Sequence, residues 1–188
     1  MNRMVAVAAI WGLVLVAKSV AQDQSVDAMR QPGRVKVAVI EFTPGTNAPG
    51  MTHEAKRQLQ ASVAFALVES DRFDVYDVRH TRDASQGNLP AVNDERSTAA
   101  AVKVGKQLGV AYVLTGMVTE YTPKGDGGFG YATLRTRLVE VATGQVRYAG
   151  ETVQKGTSAM RTTGVAEMHT KVLKPAIEQL TATLVSKL

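Results

Sequence analysis

The stretch Gly125-Asp-Gly-Gly-Phe-Gly130 comes nearest to phosphate-handling chemistry in this chain. A glycine-rich loop cradles phosphate when Gly-Lys-Ser/Thr follows it and a helix opens behind it. Strand-type residues follow instead, from Tyr131 onward. The stretch therefore reads as a flexible hairpin tip, with Phe129 as an aromatic able to touch a partner. His53, His80 and His169 are far apart, and none has a second ligand at zinc spacing. No serine stands in Gly-x-Ser-x-Gly, and no serine-histidine-acid grouping suggests itself. Glu41 lies near the end of a strand, where sites form in α/β sheets. It reads as a solvated or capping carboxylate. No catalytic residue, metal or cofactor is expected, and the chain reads as a non-enzyme.

What remains is contact chemistry. Thr133, Arg135 and Arg137 alternate on one face of a strand, with Ala132, Leu134, Thr136 and Leu138 on the other. That pattern predicts one wet face and one helix-covered face. Arg147 on the next strand is expected to extend the basic stripe. Arginine and tyrosine are over-represented among contact residues that matter. Phe129, Tyr131, Arg135, Arg137 and Arg147 are accordingly the candidate partner-binding residues.

These residues need a sheet to carry them. Residues 110–148 hold three apolar or alternating runs joined by turn signals, an antiparallel meander. The adjacent apolar pair Leu138-Val139 suggests a bulge in it. Upstream, residues 34–42 form a near-continuous apolar run, expected as a strand buried on both faces. Residues 43–50 read as a loop. Thr52 is placed to cap a helix ending near Ser70, and residues 73–78 alternate as a second strand. Residues 79–96 are polar, with Gly87 and Pro90, and read as a long loop. Ser97 or Thr98 caps a second helix, which Gly109 ends. The closing segment is amphipathic and contains Pro175, so it kinks there or divides into two helices. The order β-α-β-α-β-β-β-α predicts an α/β (α+β) fold: two layers, a mixed sheet with helices mainly on one face.

Charge and termini bound the function class. Arg3, the apolar run 5–16 and Ser19-Val20-Ala21 read as a signal peptide over residues 1–21. A flexible leader over 22–33 and a single domain over 34–188 follow. Whether the signal is cleaved or anchors the chain stays open. Cleavage removes Arg3 and Lys18, so a net charge of +5 falls to +3, too little for a nucleic-acid footprint. With no cysteine, disulfides and thiolate metal sites are excluded.

Four segments carry a family likeness: Val35-Lys-Val-Ala-Val-Ile-Glu-Phe42, Ser70-Asp-Arg-Phe-Asp-Val75, Leu108-Gly-Val-Ala-Tyr-Val-Leu-Thr-Gly116 and Leu138-Val-Glu-Val-Ala-Thr-Gly144. In order and spacing they resemble the CsgG/HfaB-like curli-secretion family. The same core is similar to LpoB-like activators of peptidoglycan synthases and to the TolB N-terminal domain. The resemblance implies a non-enzymatic periplasmic accessory protein in envelope assembly or secretion, exported and with envelope proteins as partners. The alternatives it implies are a peptidoglycan-synthase activator and a subunit of an oligomeric outer-membrane channel. Outer-membrane association and homo-oligomerisation stay open. The chain departs from the channels in lacking a lipid-bearing cysteine, in the polar stretch 79–96, and in short loops at 122–130 and 154–164. A membrane-crossing strand needs about 9–11 residues each way, so no pore is expected.

Overall fold

The computed structural model describes residues 33–188, and the expected signal peptide and almost all of the leader lie outside them. β1 (Val35–Val39) sits inside the sheet. Val37 and Val39 enter one core, Ala38 and Ile40 the other, the two-sided burial its apolar run required. β1 pairs in parallel with β3 (Phe73–Val75) and with β4 (Tyr112–Thr122). β2 (Thr43–Asn47) pairs in parallel with β4 further along. β5 (Tyr131–Glu140) and β6 (Val146–Lys155) complete the antiparallel meander. The sheet order is β3-β1-β4-β5-β6, mixed as the sequence pattern predicts, and the β5–β6 register shifts between Leu138 and Val139, where the bulge is expected.

Most helical cover lies on one face. α1 (His53–Glu69) starts where Thr52 Oγ1 accepts the Ala55 N–H at 3.2 Å. It packs Leu59, Val63 and Leu67 with Leu114, Leu134 and Leu138 of the sheet and Leu173, Ile177 and Leu180 of the last helix. A smaller second layer covers part of the other face. There α3 (Leu89–Val92) and α4 (Ala99–Leu108) place Val92, Ala101 and Val104 on Ala38, Ile40, Val113 and Val139. α4 stops at Gly109, whose φ of 65° is the left-handed conformation a glycine adopts without strain. Among the described residues no helix is long and apolar enough to cross a membrane.

Three segments differ from expectation. Residues 79–96 are mostly helical: α2 (Val78–Ser85), a 3-10 turn (Gln86–Asn88) and α3. Asp77 caps α2 by accepting the Arg79 and His80 N–H groups. Thr81 and Ser85 are buried because their hydroxyls return to carbonyls one turn back, at 2.8 and 2.9 Å. The stretch hides polar residues by internal bonding, which hydropathy does not reveal. Residues 43–47, read as loop, form β2 along the β4 edge despite Pro44. The end of the chain is continuous rather than divided at Pro175. α5 (Val165–Met168) runs through a π turn (His169–Leu173) into α6 (Lys174–Lys187), where the Lys174 N–H reaches His169 O. The wider turn accommodates Pro175, which lacks an N–H and crowds the carbonyl four residues back.

Candidate functional site

β5 and β6 carry the face that the helices leave open. Tyr131, Thr133, Arg135 and Arg137 lie on it opposite Lys155, Val153, Glu151 and Ala149 of β6. Arg135 Nη1 lies 3.3 Å from Glu95 and Nη2 3.1 Å from Glu151. Hydrogen bonding to Glu151, then the charge of Glu95, raises its pKa above the ordinary arginine value. These groups rim a shallow depression of about 400 Å³. Further along the same face, where Tyr131 pairs with Lys155, Lys155 Nζ stands 4.3 Å from the Phe129 ring centre and 5.7 Å from that of Tyr131. Phe129, Tyr131 and Arg135 thus share one patch, joined by Val153, Lys155 and Glu151. Val153 is 64% exposed.

Arg137 is not on the open part of that surface. It is 7% exposed, and it donates to Glu95 O at 3.0 Å and Asp94 O at 2.6 Å. Its guanidinium holds the turn between α3 and α4, so the expectation of a docking role is corrected to an internal one. Asn93 fixes the same turn. Its Nδ2 donates to Glu41 O and its Oδ1 accepts the Gly116 N–H, both at 2.9 Å. Arg147 does not extend the stripe beside Arg135. It lies at the bulge, at the far end of β6, where its charge acts on the Tyr112 phenol.

The tip is built, not loose. Gly125 N–H donates to Phe129 O at 2.7 Å, and Met160 N–H donates to Gly128 O at 2.7 Å. The loop 156–164 therefore backs the tip, and Glu167 secures that loop. Its carboxylate accepts the Arg161 N–H at 2.9 Å and the Thr162 N–H at 2.7 Å, with Lys171 Nζ 2.7 Å away. The Arg161 N–H first, then Lys171, hold its pKa down from 4.5 to about 2. The folded value is below the unfolded one, so this contribution is complete above the unfolded value and fades as pH falls towards the folded one. Glu167→Gln is expected to lower Tm at pH 7 and to converge with the parent near pH 2. Thermal unfolding across that range checks this, and a gap independent of pH would refute it.

Glu41 is boxed in rather than poised. Lys56 Nζ lies at 4.0 Å and Arg82 Nε at 3.5 Å. Arg82 also donates to Gln60 Oε1 at 3.2 Å, and Gln60 donates to Val39 O at 2.8 Å. This network ties α1 and α2 to the end of β1. Sequence reasoning missed one pairing: Ser62 Oγ and His169 Nε2 meet at 2.8 Å across 107 residues of chain, beside a groove of about 740 Å³ between α1 and α6. Burial first, then Lys174, lowers the His169 pKa, which disfavours the charged ring. Among the described residues no carboxylate hydrogen-bonds this ring, and the pair bridges two helices. No group of three metal-ligating side chains is assembled there either.

The sequence model described as peptidoglycan-synthase activator LpoB matches residues 15–153. The hypothetical protein CT253 of Chlamydia trachomatis is 14% identical over 82% of this chain and 95% of its own, with a TM-score of 0.57. The lipoprotein GNA1162 from Neisseria meningitidis is 16% identical over 81% and 96%, with a TM-score of 0.52. PelC from Paraburkholderia phytofirmans, solved as a dodecamer, is 20% identical over 78% and 87%, with a TM-score of 0.51. At such identities the likeness is one of fold. No curated protein matches the chain in sequence.

Proposed function

The chain belongs to the peptidoglycan-synthase activator LpoB family, and from that premise we propose that it is itself such an activator, exported and acting by contact at the cell envelope. The observation that carries this reading is the family match over residues 15–153. It favours the activator over curli secretion, which the strand signatures also resemble. The open face supports the reading in kind. It offers two aromatic rings under an ammonium and an arginine between two carboxylates, groups suited to holding a protein surface.

On this proposal the synthase docks on Phe129, Tyr131 and Arg135. Phe129 supplies apolar area that Lys155 has already oriented, and Arg135 is held by Glu95 and Glu151 before the partner arrives, so little side-chain freedom is lost on contact. The test is to add purified protein to a peptidoglycan synthase and follow glycan polymerisation and cross-linking. The expected result is a faster rate that saturates with protein. Phe129→Ala is expected to raise the half-saturating concentration about tenfold, the size of a modest contact hot spot. An unchanged synthase rate at saturating protein would end the activator reading. Full activity in Phe129→Ala and Arg135→Ala would end the docking assignment alone.

A further inference from the structure

β6 is an edge strand of ten residues, and β5 is its one ladder partner among the described residues. In an antiparallel ladder the N–H and C=O of one residue point the same way, and the direction alternates along the strand. Gly156 N–H donates to Gly130 O on the β5 side at 2.8 Å. With Ala132 opposite Gln154 and Leu134 opposite Thr152, the even-numbered residues face β5. Glu151, Val153 and Lys155 therefore turn their backbone groups outward, and all three are exposed. Such an edge is a template for another strand unless a bulge, a proline, a short length or charges left unmatched by the incoming strand blunt it. The bulge of β6 lies at its other end, opposite Leu138 and Val139, and leaves residues 151–155 regular.

The side chains along that edge specify what it fits. Residues 151–155 read Glu-Thr-Val-Gln-Lys. Laid antiparallel on a second copy about an axis at Val153, Glu151 faces Lys155, Thr152 faces Gln154 and Val153 faces itself. Directly opposed residues in an antiparallel pair share a face, so both carboxylate–ammonium pairs form on the same side. An axis at Glu151 instead opposes two carboxylates and sets Lys155 against Arg147. We infer that two copies of this chain associate through β6, joined antiparallel about a two-fold axis at Val153. The sheet then continues from one copy into the other, and the open face of each copy keeps its own aromatic patch. This association does not depend on the activator reading.

The absence of native cysteine makes the axis directly testable in the full chain. Opposed, hydrogen-bonded residues lie about 5.5 Å apart between Cα atoms, within the ~4.4–6.8 Å that a disulfide spans. Val153→Cys is expected to cross-link under mild oxidation about tenfold faster than Ala149→Cys, because pairing raises the effective concentration of one thiol at the other. Ala149 would face Thr157, beyond the strand. Sedimentation should show a concentration-dependent dimer that Glu151→Lys or Lys155→Glu dissociates and the double exchange restores. Equal cross-linking of the two cysteine variants would overturn the inference. So would a strictly monomeric parent, or a double exchange as dissociated as the single variants while circular dichroism stays unchanged.

Discussion

Asn93→Leu is expected to lower the unfolding free energy by about 3 kcal/mol, with a matching fall in the urea midpoint. Asn93 is 3% exposed and bridges Glu41 O to the Gly116 N–H. Leucine fills similar space and satisfies neither group. A buried polar group left without a partner costs about 1–3 kcal/mol, and here two are orphaned at once. The turn that Asn93 anchors also carries Asp94 and Glu95, whose carbonyls hold Arg137 and whose Glu95 carboxylate holds Arg135. The same variant should therefore free Arg135 on one side and weaken synthase stimulation beyond what lost stability explains. A destabilisation under about 1 kcal/mol would show that water replaces the amide and that the bridge does not hold the turn.

Phe42→Ala is expected to cost about 4 kcal/mol, and its coupling to Gly116 should be measurable. The Phe42 ring is fully buried and lies against Gly116, where a Cβ would collide with it. Removing the ring leaves a cavity in the larger core, and such truncations cost about 3–5 kcal/mol. Gly116→Ala alone should cost about 2 kcal/mol by overpacking against the ring. Combined, the new methyl group occupies space the ring vacated, so the double variant should fall short of the sum by about 1 kcal/mol. Chemical denaturation of all four proteins closes this cycle. Strict additivity would mean that the ring and the glycine do not compete for one volume.

Much of the fold can be read along the chain because the determinants are local. Thr52 caps α1 within three residues, and Gly109 ends α4 by its own backbone freedom. The apolar pair Leu138-Val139 marks the bulge where the ladder shifts. The alternation on β5 separates Leu134 and Leu138 from Arg135 and Arg137 correctly. What the chain does not declare is which arginine is covered. Arg135 and Arg137 are two residues apart on one face, and the cover comes from backbone at Asp94 and Glu95, over forty positions away. Asn93 escaped notice for the same reason, since its partners lie 52 and 23 residues distant. Helix α2 was hidden differently: its buried threonine and serine bond to their own turn, so no apolar periodicity announces it.

The π turn at His169–Leu173 has a consequence for how the chain tolerates change in length. On a regular helix each residue advances about 100°, so Met168 and Ile177 would point to opposite sides. Both are buried in the same core. The wide turn absorbs one surplus residue and brings the two flanks back into phase. A chain lacking one residue there would keep Leu180 and Leu184 seated, at the expense of the Ser62–His169 bridge and of the room the wider turn gives Pro175. The same loss between Ile177 and Leu180 would swing Leu180 and Leu184 away from the sheet. Single-residue gaps in this helix are therefore confined to one turn, and that turn is where the helix keeps its spare residue.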